Sequence, residues 1–325
     1  MSDLPAVPRG LGPDRGRPVE PDAPIDHVAT SLALVIDGRR GRARLPQVIE
    51  LLRSRSVEAE VFELDGRTDP AGLVDAAVRR GHGFLVAVGE DHVAHAVLNG
   101  IVRGDRPLPD VLFGVLAANS GSDIVRTFGL WQDPALAVDR LVRGLVYHVD
   151  VGKASASTRK GVRTQYFLNM AQVGLGGLAA RRGRSLRMAP ERLRRFAGFW
   201  GAMATYRRPV IRMQGDRRTF EGAVTNVILA NMQFTANGMH VSPRSWPEDG
   251  YLDLQVFTGP RSDAFTLLPK MFVGEHLPHP NVLELRSTTA RIESDRAVPV
   301  EVDGEPIGTT PVTFEVLHRA LPFKV

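Results

Sequence analysis

Between Ser31 and Arg143 the chain alternates short apolar runs with helical stretches, and this alternation restricts the fold more than any other feature. Leu32-Ala33-Leu34-Val35-Ile36 and Phe84-Leu85-Val86-Ala87-Val88 are apolar throughout. They are too short to cross a membrane as a helix and suit strands covered on both faces. Glu60 to Leu64 and Val111 to Val115 read as two more strands. Helical stretches lie at about 45–52, 71–79, 91–102 and 134–143, with another near Asp123. Strands that alternate with helices through short loops run parallel, with crossover helices between them. Ligands of such sheets gather at the carboxyl ends of the strands. The loops that matter are therefore 89–93 and 117–123.

After Asp150 the pattern changes. Strand-like runs at 166–173, 210–214, 224–231, 252–258, 290–294 and 298–302 follow one another, interrupted by one helix at about 190–205. They point to a second, mainly antiparallel β domain. Residues 1–28 are rich in Pro, Gly, Asp and Arg and nearly free of large apolar side chains, so a disordered tail is expected there. They carry no apolar secretory segment, so a cytoplasmic location is expected. The division is thus a tail at 1–28, an α/β domain at 29–150 and a β-rich domain at 151–311. The absence of cysteine excludes disulfides, thiolate metal sites and cysteine nucleophiles. With 41 basic and 36 acidic residues the net charge is +5, which fits anionic partners such as nucleotides or lipid headgroups without choosing between them.

Two loops suit phosphate. Gly89-Glu90-Asp91-His92-Val93 joins a strand to a helix, where backbone N–H groups favour an anion. Asp91 there either caps the helix or holds a divalent cation beside a phosphate. Ala118-Asn119-Ser120-Gly121-Ser122-Asp123 is a second turn of small polar residues, equally readable as a capped strand-to-helix connection. Asp249-Gly250 and Asp303-Gly304 read as tight turns. His240, His276 and His279 lack the spacing of a closed zinc site. A cluster of Arg181, Arg182, Arg184, Arg187, Arg192, Arg194 and Arg195 precedes Phe196, Phe199, Trp200 and Met203. Such a segment either lies on anionic lipid or packs its apolar stripe on the β domain. No nucleic-acid-binding module accompanies the cluster, so nucleic acid is not an expected partner.

The order and spacing of several motifs resemble the diacylglycerol kinase catalytic-domain family of lipid kinases, from Ser31 to the end of the chain. Gly238-Met239-His240-Val241-Ser242-Pro243 followed by Asp249-Gly250-Tyr251-Leu252-Asp253 is similar to the family's glycine-rich turn and DG-x-LD motif. Gly274 to Pro280, Val302-Asp303-Gly304-Glu305, and Asn169 with Gly174 resemble further blocks. The resemblance implies a nucleotide-binding α/β domain followed by a β-sandwich domain, with ATP between them. It implies that the last strand, around Val312 to Leu317, returns so that about 312–325 complete the first domain. It also implies Asp249 as general base and Glu305 near the cleft as a second catalytic carboxylate. Gly89, Asp91, His92, Ser120, Gly121 and Asp123 would contact nucleotide, with Asp91 acting through Mg²⁺. The acceptor would be a membrane lipid such as diacylglycerol, met at the cytoplasmic membrane face.

Three segments depart from the family pattern. GGDGT becomes Gly89-Glu90-Asp91-His92-Val93, with Ala96 where the family has Glu. GTGND becomes Asn119-Ser120-Gly121-Ser122-Asp123. NPxSG becomes Asp37-Gly38-Arg39-Arg40-Gly41. Each lost donor costs about 1–3 kcal/mol if a phosphate oxygen is left unpaired. A catalytically weak or inactive lipid- or nucleotide-binding relative is the alternative expectation.

Overall fold

The structure, a computed structural model, describes residues 25–38, 42, 45–65, 68–117, 122–129, 133–186, 191–236 and 238–325. Its first half is a parallel sheet in the order Glu58–Leu64, Ser31–Asp37, Phe84–Gly89, Leu112–Ala117. Val86 pairs with Leu34 on one side and Gly114 on the other, and all six residues of Phe84–Gly89 are buried. A strand covered on both faces needs this unbroken apolarity. Helices Pro70–Arg79 and Asp91–Ile101 cover one face, over Ala33, Val35, Leu85, Ala87 and Phe113. Helices Leu45–Arg53 and Pro134–Arg143 cover the other, over Leu34, Ile36, Val86 and Val88. Gly100 lets the first pair of helices touch: a Cβ there would lie 2.7 Å from the Pro70 carbonyl oxygen.

The second half is a β-sandwich. Val282–Ser287, Leu252–Phe257, Asn226–Ala230, Met170–Gly174 and Pro299–Val302 form an antiparallel series. Facing it are Thr219–Ala223, Val210–Gly215 and Thr289–Ser294. Phe167, Val173, Met213, Leu229, Leu254, Ile292 and Phe314 fill the space between. The single expected strand at 166–173 is two, Gly161–Phe167 and Met170–Gly174, broken by a turn at Leu168-Asn169. Two further helices, Leu175–Ser185 and Asp263–Val273, join the expected one at Glu191–Thr205. Their sequences hide them: Leu175–Ser185 carries three glycines and Asp263–Val273 contains Pro269, residues that argue against helix.

Two long strands bind the halves together. Leu145–Thr158 runs through the 150/151 boundary without a break and pairs antiparallel with Glu305–Lys324. The closing strand begins in the sandwich, where Phe314 pairs with Ala290. It ends in the first sheet, where Phe323 runs parallel to Phe113. The return that the resemblance implied is therefore made by Leu321 to Lys324, after an irregularity between Leu317 and Leu321. Phe323 stacks on Phe128 with ring centroids 5.4 Å apart. Ile25–Asp26 pairs with Leu145 and Val146, so part of the segment assigned to the tail enters the fold; residues 1–24 lie outside the described residues. No helix among the described residues is long and apolar enough to cross a membrane.

Candidate active site

The carboxyl ends of the parallel strands meet the sandwich around Asp91. Gly89 ends its strand at φ 145°, and Asp91 opens the following helix. The Asp91 carboxylate does not cap its own helix. Its Oδ1 accepts from Ser122 Oγ at 2.7 Å and its Oδ2 from the Asp123 amide at 3.1 Å. The first loop thus holds the N-terminus of the second loop's helix, Asp123–Thr127. Burial and then the neighbouring Asp123 push the Asp91 pKa up to about 7. Asp123, itself buried, passes the link on: its Oδ1 accepts from the Gly238 amide of the sandwich at 2.7 Å. Arg126 Nε lies 3.8 Å from the same oxygen. Ser120 and Gly121 lie outside the described residues, as do Arg39 and Arg40.

The altered loop residues have their own partners. His92 Nε2 is 3.3 Å from Asp37 Oδ2, and His92 Nδ1 is 3.8 Å from Glu90 Oε2. Val93 is fully buried in the apolar core. A threonine there would place its hydroxyl against that packing.

Asp303-Gly304 is the hairpin turn its sequence suggests, with both residues at positive φ, 48° and 83°. It is also a junction. Asp303 Oδ1 accepts from the amides of Asn169 and Met170 at 3.0 and 3.2 Å, and Oδ2 from Leu168 at 3.1 Å. Oδ2 also lies 3.3 Å from Nδ1 of buried His95, on the same helix as Asp91. His95 Nε2 is 3.1 Å from Gln165 Oε1. One turn on, Asn99 accepts from the Tyr166 amide and donates to the Tyr166 carbonyl, both at 2.9 Å, as a strand would. Nothing in the spacing of His95 and Asn99 alone announces this role; their i, i+4 placement on one helix face is the only signal. Glu305 follows the turn and pairs with Arg184.

Asp249 lies in the turn before Leu252–Phe257, at the same end of the sandwich strands as Asp303. Its Oδ1 accepts from the Tyr251 amide at 3.1 Å and its Oδ2 from Arg286. Burial raises its pKa to about 6, against the opposing pull of Arg286. The adjoining Gly250, at φ 75°, donates its amide to Asp150 Oδ2 at 2.7 Å. Asp150 is fully buried where the long strand crosses between the halves. It also accepts from the Arg319 amide at 2.6 Å and lies 2.8 Å from His318 Nδ1. The structure thus brings Asp91 and Asp123 together with Asp303, and sets Asp249 in a separate cluster with Asp150 and Asp253.

The three histidines go to different partners. His276 is buried with Nε2 3.1 Å from Gln255 Oε1, and burial lowers its pKa to about 4. His240 stacks on Phe234 at 4.4 Å, and His279 Nδ1 accepts from the Asn281 amide. Among the described residues no group of three or more His, Asp or Glu is disposed to hold a metal ion.

Comparison with known proteins follows the same division. Residues 34–154 match the diacylglycerol kinase catalytic domain, and residues 169–324 match the YegS C-terminal NAD kinase beta sandwich-like domain. The chain is 24% identical over 281 residues to a diacylglycerol kinase of Staphylococcus carnosus, covering 83% of this chain and 85% of that protein. It is 26% identical over 278 residues to a diacylglycerol kinase of Mycobacterium tuberculosis, covering 84% and 86%. Among solved structures, a diacylglycerol kinase from Bacillus anthracis superposes with a TM-score of 0.64 at 15% identity, covering 91% of this chain and 96% of that one, a likeness of fold.

One buried acid near this junction gives a stability test. Glu301 accepts from the Gly304 amide at 2.6 Å, and burial raises its pKa to about 8. The unfolded chain ionises Glu301 near its ordinary value, while the folded chain keeps the proton to about pH 8. Stability therefore falls as pH rises through that window. Glu301→Gln removes this loss. Thermal melts from pH 5 to 8.5 are expected to show the variant gaining on wild type by several degrees, of the order that one or two kcal/mol gives. A gap between the two proteins that stays constant over that range would contradict a raised Glu301.

Proposed function

The chain belongs to the diacylglycerol kinase catalytic-domain family, and from that premise we propose that it transfers the γ-phosphoryl group of ATP to the hydroxyl of a membrane lipid such as diacylglycerol. The observation that carries this is the state of Asp249. It is a half-buried carboxylate in the DG-x-LD segment, with a pKa of about 6, so it is mostly ionised yet basic enough at neutral pH to take a hydroxyl proton. In the proposed reaction Asp249 accepts that proton as the lipid oxygen attacks the γ-phosphorus, and ADP leaves. Phosphoryl transfer asks mainly for positioning and neutralised charge. Asp91 suits the second need. Each of its oxygens has accepted one hydrogen bond and keeps a further lone pair, and burial beside Asp123 raises its pKa to about 7. Mg²⁺ is commonly held by one or two carboxylates with phosphate oxygens, so Asp91 would hold it, and the ion would offset negative charge on the phosphates. Glu305 contributes indirectly, by holding Arg184 beside the hairpin turn.

A second reading, a scaffold that has lost phosphoryl transfer, is favoured by one observation. Val93 is buried in the core, and the imidazole of His92 is taken up by Asp37 and Glu90 instead of facing outward alone. The kinase reading is tested by transfer of labelled phosphate from ATP to diacylglycerol in mixed micelles. Asp249→Asn is expected to lower turnover by about 10²- to 10⁴-fold with little change in melting temperature. Turnover equal to wild type would remove Asp249 from the mechanism.

We further propose that the protein meets its substrate at an anionic membrane surface through the helices Glu191–Thr205 and Asp263–Val273. The helix Glu191–Thr205 packs Ala202 and Met203 inward, so the core role of its apolar stripe is real. Yet Leu193, Phe196, Phe265, Phe272 and Val273 stay more than half exposed, and the Trp200 and Phe265 rings meet at a tilt with centroids 5.5 Å apart. Exposed aromatic and aliphatic side chains flanked by arginines suit an interfacial position. Sedimentation with phosphatidylglycerol vesicles is expected to fall as salt rises, because surface charge is screened. It should fall further in Phe196→Ser/Phe265→Ser. Binding that ignores both changes would place the membrane contact elsewhere.

A further inference from the structure

On the sandwich surface Arg212 pairs with Glu221, Arg244 with Glu284 and Arg291 with Glu293. Four arginines at one corner do otherwise. Arg207, Arg208, Arg261 and Arg296 are exposed around the C-terminal end of the helix Glu191–Thr205, and none of them is ion-paired with a carboxylate among the described residues. Three of them bond backbone carbonyls instead. Arg261 Nη1 donates to Met203 and Ala204 at 2.7 and 3.1 Å, Arg296 Nη2 to Arg207 at 2.7 Å, and Arg208 Nη2 to Ala223 at 2.9 Å and to Thr258. Of the acids nearest in sequence, Asp263 accepts from Asn281 Nδ2 at 2.7 Å, and Asp295 is exposed. Such bonds would also serve merely to cap the helix. Neutral carbonyls, however, fix a guanidinium without cancelling its charge, and a helix end supplies only about half a negative charge. Even with both acids counted, a positive excess remains at the corner.

Beside these cations runs an open groove of about 440 Å³, lined by Met203, Ala204, Pro260, Phe265 and Arg261 itself. Its size falls within the range of about 300–1,000 Å³ that small-molecule sites occupy. The groove is apolar along its length and cationic at its edge, so what fits it joins hydrocarbon to an anion in one molecule. Guanidiniums already held in place suit the forked geometry of a phosphate. Thr258 follows the strand Leu252–Phe257, whose other end faces the cleft, and the five residues from Asp253 to Thr258 span about 16 Å. A molecule in the groove is therefore separate from an acceptor in the cleft. We infer that this corner is a site for one anionic phospholipid, with its phosphodiester headgroup on the arginines and an acyl chain in the groove. The inference rests on the membrane reading given above, because Phe265 belongs both to the groove and to the exposed apolar face.

Diffuse attraction to a charged membrane needs no groove, and a short-chain lipid separates the two. Dihexanoylphosphatidylglycerol, kept below its micellar concentration and titrated calorimetrically into the full chain, is expected to bind saturably and one to one. Glycerol phosphate at the same concentration should not bind, since it lacks the chain. Ala204→Trp, at an exposed position, puts a ring in the groove and leaves every charge in place. It should weaken short-chain binding by about tenfold or more while sedimentation with phosphatidylglycerol vesicles persists. Arg207→Gln/Arg296→Gln should weaken it by a similar factor, and melting temperatures identify which variants are folded. Wild type that ignores the short-chain lipid, or a folded Ala204→Trp that binds it as wild type does, would overturn the inference. Glycerol phosphate binding as tightly as the lipid would make the corner a free-phosphate site and overturn it too. Saturable short-chain binding that Ala204→Trp abolishes, in a protein that never sediments with vesicles, would overturn the membrane reading and leave the site standing.

Discussion

The pairing of Leu145–Thr158 with Glu305–Lys324 is the constraint on which the cleft depends. Each strand belongs to both sheets, so neither half can shift without breaking a shared ladder. At the crossing, the ladder is irregular between Leu317 and Leu321, and the backbone groups freed there need partners. Asp150 supplies them. Its buried carboxylate accepts the amides of Arg319 and Gly250 and meets His318, so one side chain ties the closing strand to the turn that presents Asp249. A buried charge left without such bonds would be costly, which is why all of these donors converge on it.

A second set of bonds fixes the other wall. Asp91 holds Ser122 and Asp123, Asp123 holds Gly238, and Asp303 holds the Leu168 to Met170 turn against His95. Carboxylates accepting backbone N–H groups do here what glycine-rich backbone does in the family pattern: they set where the loops lie. This explains how Glu90, His92 and Val93 are accommodated. His92 is placed between two acids and Val93 joins the core, so the altered loop is internally satisfied. The cleft is left acidic, which makes a divalent cation more important to any polyphosphate that enters it.

Much of this was legible in the residues. Apolar runs such as 84–88 and the helices between them required a parallel sheet, and Asp303-Gly304 required a tight turn. What escaped had physical reasons. The strand Leu145–Thr158 mixes polar and small residues because it is covered unevenly along its length, so no period of two stands out. The helix Leu175–Ser185 forms despite its glycines because Gly177 lets it approach the Pro299 carbonyl, where a Cβ would lie 2.4 Å away; packing overrides propensity. Asp91 stood out by its place in a strand-to-helix loop and Asp249 by motif resemblance, but Asp150, His95 and Arg286 are defined by partners between 37 and 208 residues distant or by contacts across strands, which spacing along the chain does not reveal.

The proposed function requires these carboxylates to maintain a nucleotide cleft although the loop at 89–93 keeps only Gly89 of the family pattern's three glycines. Calorimetric titration with ATP, with and without Mg²⁺, tests it most directly, using wild type, Asp91→Asn and the triple variant Glu90→Gly/His92→Gly/Val93→Thr. The claim requires wild type to bind in the presence of Mg²⁺, Asp91→Asn to bind at least about tenfold more weakly, and the triple variant to gain nothing, since about 1.4 kcal/mol separates each decade. Wild type that fails to bind, beside a triple variant that binds well, would contradict it and identify the chain as a scaffold whose loop has been switched off.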